Sequence, residues 1–448
     1  MARDMVRSRR ELVARASRLA AGALGLGAAA CGVNAKPAGP GTAARGPVPI
    51  LHWIQYAPPH RFGLAQKAVL DDFQARNPGR VSLEIGESGS SVGLAKVKTA
   101  VAAGTPPNSW FGWQVEASDL FTLGALADLH AELKTHKEWA KLKNELIPTL
   151  VDGATWKGKL ALMPLFPDPH GLGFNRAMLT QAAVQPPRQG YTWDEFIEIG
   201  RRTAQPPERV LFNFEYIWNQ LFWWMYANGQ RPLNQERTKV LFDTPQVLQT
   251  VEWLHEHVQR TQLARHGKAD FNEGKSVTEV INAGTVTPPR YPNVDPGDGS
   301  GIFLTHYPLG PSNTRREPGT SGNVFGFMVF KAGDATKVAA AAEIAAWSVR
   351  PDVQLLVSEA SGHAPANLAA ARDPKLPGAL KNNPLLRMLN DLARYNYPTP
   401  NFPRWGEVNR LIDEHLGRVG KGELRPKDAL AEIQRRAQAL VDEDLQRG

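Results

Sequence analysis

Three short stretches of this chain carry residue types that do chemistry. In Phe166-Pro167-Asp168-Pro169-His170 a carboxylate and an imidazole stand two positions apart on a backbone stiffened by proline. A rigidly held acceptor beside a titratable ring suits recognition of a hydroxyl-bearing ligand, and equally a structural role at a hinge. Gly89-Ser90-Ser91-Val92-Gly93 fits G-x-S-x-G with a strand before it and a helix after it, which makes Ser91 the candidate nucleophile of a secreted serine hydrolase. Against that reading, Gly86 to Ser88 intervene where a nucleophile elbow turns directly off its strand, and no partner Asp or His is singled out. A Ser/Gly loop at the carboxyl end of a parallel strand also offers hydroxyls and amides to a bound ligand. His255-Glu256-His257 is not H-E-x-x-H, and its two imidazoles point to different sides of a helix, so neither a metal nor any cofactor is expected.

The elements around these residues are of the α/β kind. Ile50 to Tyr56 reads as an opening strand, Phe62 to Asn77 as a helix stopped by Asn77-Pro78, and Val81 to Ile85 as a second strand. A helix from Gly93 to Ala103, a strand from Asn108 to Gly112 and helices at 115–123 and 138–152 follow. Leu160 to Phe166 is a buried strand, and Pro164, Pro167 and Pro169 are expected to end its pairing, so that the chain crosses open space as a hinge between two lobes. Beyond it Asn175 offers an N-cap, and Thr192-Trp193-Asp194-Glu195 is a capping box. Asn323 to Lys331 is a further strand, helices fill the chain from Ala335 onward, and no strand is evident after residue 362.

The first thirty residues form a leader: six arginines precede an Ala/Gly/Leu run from Leu19 to Ala30 that is too short and too weakly apolar to remain as a membrane span. Ser8-Arg9-Arg10-Glu11-Leu12-Val13 resembles a twin-arginine export signal, and Ala28-Ala29-Ala30-Cys31 a lipoprotein cleavage box with Ala28 where Leu is usual. Cys31 is the only cysteine, so no internal disulfide can form, and lipidation is the reason to expect a cysteine there. An Ala/Gly/Pro tether to residue 47 follows. The leader also holds half of the formal charge of +8, and no Lys/Arg cluster interleaved with aromatics appears elsewhere, which argues against nucleic acid.

Phe73 to Val81 (FQARNPGRV), Ala102 to Asn108 (AAGTPPN), Gly158 to Asn175 running into GFNRAML, Tyr191 to Phe196 (YTWDEF), Phe271 to Lys275 (FNEGK) and Lys427-Asp428-Ala429-Leu430 together resemble the sugar-binding family 1 of ABC-importer solute-binding proteins, which includes maltose-binding proteins. The resemblance covers the chain beyond the tether. It implies an α/β type II periplasmic-binding-protein fold with two lobes, each a largely parallel sheet flanked by helices, joined by hinge strands and ending in a helical region. Lobe 1 would comprise 48–165 with 323–362, and lobe 2 170–318 with 363–448. It implies a monomer that performs no chemistry, takes a carbohydrate or related polyol in the cleft, and docks on permease subunits from the outer face of the cytoplasmic membrane or the periplasm.

Carried over by position, the resemblance points to Gln55 and Tyr56 at the end of the first strand, Trp113 and Gln114 after the third, and Asp168 and His170 on the crossing. It adds Gly284 in a cleft loop and Trp218 and Trp405 as stacking platforms. Trp193, Trp223, Trp224 and Trp253 are expected in the core. A pyranose has one face of C–H groups and a rim of hydroxyls, which aromatic platforms and a carboxylate acceptor would meet.

Overall fold

A computed structural model of the chain describes residues 46–446 apart from 90–92, 216–217, 268–269, 287–300, 381–382, 400 and 403. The leader, Cys31, the tether as far as residue 45 and Ser91 lie outside the described residues, as do the side chains of some others, Trp218 among them.

The opening follows the periodicity. Val48–Ile54 and Val81–Glu87 pair in parallel, from Val48 against Val81 to Ile54 against Glu87, and Arg61–Arg76 crosses between them with Phe62, Ala65, Val69, Leu70 and Phe73 turned inward. Ser109–Trp113 joins the other edge of the opening strand, again parallel. The next neighbour comes from far along the chain: Thr320–Val329 runs antiparallel to it, with Phe325 facing Trp113 and Val329 facing Ser109.

The crossing strand corrects an expectation. Met163–Pro169 does not leave the sheet at its prolines; it pairs antiparallel with Thr320–Val329 as far as Pro169 against Gly322, and all seven residues are buried. Residues two apart present their backbones to the same edge, so Pro167 and Pro169 remove donors from one edge only and Phe166 and Asp168 keep theirs for the other. The register shifts between Phe325 and Gly326, where Leu165 is passed over. A Cβ on Gly326 would sit 1.9 Å from the Met163 carbonyl oxygen, so this bulge tolerates only glycine.

Other differences have equally local causes. The predicted 138–152 helix is two, Trp139–Glu145 and Pro148–Ala154, because a proline opens a helix but cannot continue one. Asn396–Pro398 is a strand, parallel to Thr320–Gly322, and three residues are too few to show a period. Gly171–Asn175 lies between Thr278–Ile281 and Ile302–Thr305 with both pairings antiparallel, where parallel strands were expected. Among the described residues, the short strand pair Phe212–Phe214 and Ala264–His266 and the isolated bridges Thr192 to Leu309 and Val210 to Ser276 are parallel. Alternation marks a strand without fixing its direction.

Burial divides accordingly. One apolar core gathers Ile50, Phe73, Trp110, Phe111, Phe166, Phe327 and the helices Ala335–Ser348 and Pro351–Ser361. Another gathers Phe196, Phe212, Trp224, Val251 and Tyr307 with the closing helices Trp405–Gly420 and Pro426–Gln446. A smaller one joins Ile281, Ile302 and Leu304 to Leu385, Leu386 and Leu389. No helix of the described residues is long and apolar enough to cross a membrane.

Candidate functional site

The crossing strand and the strand ends of the first sheet bring most of the expected residues together. At the end of the opening strand Tyr56 is half-buried, its ring stacked on His60 at 4.5 Å and edge-on to Phe62 at 5.1 Å. Phe62 lies 4.3 Å from Phe325, which also packs on Phe166 at 5.8 Å, on Phe111 at 6.0 Å and, in near-parallel orientation, on Trp113 at 6.2 Å. Tyr56, Phe62, Phe325 and Trp113 thus form one aromatic row. Trp113, also half-buried, precedes the helix Gln114–Thr122, and its amide donates to Glu116 Oε2 at 3.2 Å.

Glu116 ties the row to Gln55, whose amide nitrogen donates to Glu116 Oε1 at 3.2 Å. Burial pushes this carboxyl up to about 8, against the lowering effect of the Trp113 and Gln55 hydrogen bonds, and Asp119 adds to the rise. Sequence reasoning missed Glu116, although its place three residues after Trp113 is the spacing of a helix-start carboxylate.

Asp168 is only 1% exposed. Its Oδ2 accepts from Asn282 Nδ2 at 2.9 Å, and the amides of Ala283 and Gly284 also act on the carboxylate. Burial nonetheless raises it to about 7. Its Oδ1 makes no hydrogen bond and faces the buried His363, whose Nε2 is 3.9 Å away and likewise unpartnered. Burial and the nearby Arg61 and His60 hold that imidazole neutral, well below its ordinary range. The geometry gives Asp168 the work of fastening the 282–284 loop to the crossing strand, a role the sequence left open as a hinge cap. Gly284 serves the same junction: a Cβ there would come 2.9 Å from the Phe62 ring. His170 is half-buried, stacked on Trp223 at 4.7 Å, with its Nε2 3.3 Å from Asn282 Nδ2. Tyr56 feels both acids, and its phenol is pushed up to about 12 by burial first and then by Glu116 and Asp168.

Two expected ligand residues sit elsewhere. Gln114 is fully buried, donating to the Thr399 carbonyl at 3.2 Å and accepting from the Val324 amide at 2.8 Å, so both ends of its amide are committed to backbone. Trp405 is 2% exposed and packs on Phe402 at 5.6 Å and Phe222 at 6.2 Å, inside the second core instead of standing as an open platform. Trp193 stacks on Trp253 at 4.5 Å in the same core, as its helix-start position suggests. Trp223 is core too, at 6% exposed, yet it backs His170. Trp218 opens the helix Trp218–Ala227, and its side chain is outside what is described. Among the described residues no group of three His, Cys, Asp or Glu is set to hold a metal ion.

The fold is similar to that of several solved proteins. Over 89% of this chain and 100% of the other it resembles the cyclic α-maltosyl-1,6-maltose binding protein from Arthrobacter globiformis, at 19% identity and a TM-score of 0.74. An ABC substrate-binding protein from Listeria monocytogenes, solved with cycloalternan, covers 89% of this chain and 99% of its own at 16% identity and a TM-score of 0.73. UgpB from Mycobacterium tuberculosis, solved with glycerophosphocholine, covers 90% and 100% at 16% identity and a TM-score of 0.72. No curated protein sequence matches the chain. Residues 68–387 match the family described as bacterial extracellular solute-binding protein, and with so much of the chain inside that match, this protein belongs to that family.

Proposed function

We propose that this protein captures a sugar, oligosaccharide or related polyol between its two lobes and delivers it to the permease of an ABC importer, performing no chemistry on it. The observation that carries the reading is the pair of half-buried rings Tyr56 and Trp113, backed by the buried Phe62 and Phe325, with the hydrogen-bonding groups Gln55, Asn282 and His170 around the crossing strand. Such a wall offers a C–H face and a hydroxyl rim their separate partners. The ligands named for the similar proteins, two cyclic oligosaccharides and a glycerol phosphodiester, are of the same polyol class.

In this reading lobe 1 comprises 48–165 with 323–362 and lobe 2 170–318 with 363–448, and the solute gains contacts from both only when they close. The protein is a monomer exported to the outer face of the membrane and held there by lipid on Cys31, two acyl chains sufficing for stable anchoring. Thermal-shift screening against sugars, polyols and glycerol phosphodiesters tests the central claim. A ligand bound only by the folded state at a hundredfold excess over Kd adds about 2.7 kcal/mol to apparent stability. A library in which no sugar or polyol moves the melting temperature would overturn it.

A further inference from the structure

A helix leaves its last carbonyls without partners of its own. At the end of Pro148–Ala154 those carbonyls are met from a distant part of the chain. Arg237 donates from Nη1 to the Thr155 carbonyl at 2.6 Å and from Nη2 to that of Asp152 at 2.8 Å, and Asn401 Nδ2 donates to that of Gly153 at 2.7 Å. Two residues further on, Lys157 Nζ donates to the Asp444 carbonyl at 2.9 Å and pairs with its carboxylate at 3.0 Å.

The two sides of these contacts belong to different cores. Leu150, Ala154 and Leu160, around the gripped turn, are in the first. Leu233 and Val240, which bridge to each other on either side of Arg237, Phe402 beside Asn401, and Val441 one helical turn before Asp444 are in the second. The second side is itself braced. Asn234 Oδ1 accepts from the amides of Thr238 at 2.9 Å and Lys239 at 2.8 Å, and Gln438 Oε1 accepts from that of Val240 at 2.8 Å. The loop bearing Arg237 is thereby fastened to the helix bearing Asp444.

The strength of the contact lies in its less exposed members. The Asp152 carboxylate, 3.1 Å from Arg237 but 79% exposed, adds little. The guanidinium instead faces the negative end of a helix, and its planar fork holds two carbonyls at once. The Asp444 side chain is only 10% exposed, so its pairing with Lys157 is less screened. Both cations stand on left-handed backbone, with φ 47° at Lys157 and 57° at Arg237, a conformation that costs a residue with a side chain and persists where the surroundings hold it.

We propose that the turn 152–157 is a clamp that holds the body built on the second core to the first, so that the two bodies turn about this point and do not part there. Bodies with separate cores move relative to one another unless something restrains them. Capture of a solute requires that they move; the clamp states where they stay joined, whatever the solute is.

The test is small-angle X-ray scattering on the purified protein with no solute added, the parent against Arg237→Ala combined with Lys157→Ala. The variant's radius of gyration should rise by roughly 5%, about 1 Å for a compact chain of this length, with helix content by circular dichroism unchanged. Charge reversal keeps the result readable if truncation disturbs the fold. Lys157→Glu should widen the molecule, and adding Asp444→Lys should narrow it again, which damage confined to one body would not do. A truncated variant with the parent's radius, or a widening by Lys157→Glu that Asp444→Lys leaves in place, would overturn the clamp. Either result leaves the solute-capture reading standing, because no solute enters the measurement.

Discussion

At the scale of single residues, burial decides which polar groups are structural and which change with pH. Gln114 is a clamp between the Val324 amide and the Thr399 carbonyl, and Gln114→Ala leaves both buried and unpaired. Losing such partners costs about 1–3 kcal/mol for each group, so urea denaturation should report a loss of about 2–6 kcal/mol. Glu116 makes a different demand. Its folded value lies near 8, above its unfolded one, so burying the neutral form contributes stability that is complete below about pH 4.5 and lost as pH rises through about 8. Glu116→Gln cannot ionise, and the variant should gain on the parent by roughly 2–4 kcal/mol between pH 5 and pH 9. A difference that stays constant with pH would mean that Glu116 is charged throughout. His52 works the opposite way: burial lowers it to about 4, so its contribution is present above about pH 6.5 and fails as pH falls toward 4.

At the scale of elements, local rules were legible where they were strong. The Thr192/Glu195 box forms as its spacing requires, the Thr192 hydroxyl accepting from the Glu195 amide at 3.3 Å and Glu195 Oε2 accepting from the Thr192 amide at 2.7 Å. Thr192→Ala should cost about 1 kcal/mol of stability by thermal denaturation. The crossing strand was misread because proline count was taken without proline spacing. Placed two apart, Pro167 and Pro169 silence one edge and spare the other. Gly326 is the sharper test of that geometry. A methyl at 1.9 Å from the Met163 oxygen cannot fit without moving backbone, so Gly326→Ala should destabilise by about 3 kcal/mol or more. An unchanged melting temperature would mean that the bulge is absent. The site was partly legible: strand ends and the crossing can be found from pattern, whereas His363 and Asn282 reach Asp168 from some 195 and 114 positions away, and no local signal reports that.

At the scale of the whole molecule, the long strand Thr320–Val329 joins what the chain makes early to what it makes late. It pairs with Ser109–Trp113, with Met163–Pro169 and with Asn396–Pro398. Hinge closure around a solute bends the molecule about such joining segments, and the radius of gyration from X-ray scattering should fall when a saturating ligand is added. An unchanged radius would argue against a closing cleft.

That shared strand also sets a timetable. Its two earlier neighbours leave the ribosome about 150 residues or more before it does, a wait of roughly 10–40 s at ordinary synthesis rates, during which each has an edge with no partner. An unpartnered edge is a template for pairing with another chain. Of the two, Met163–Pro169 keeps its donors on the edge that waits, while Pro167 and Pro169 silence its other edge, which no strand of the described residues covers even after folding. Replacing Pro167 and Pro169 by valine should therefore open that second edge to a foreign ladder and lower the soluble yield of the protein more than its melting temperature, a form of protection that acts before the fold exists and persists after it.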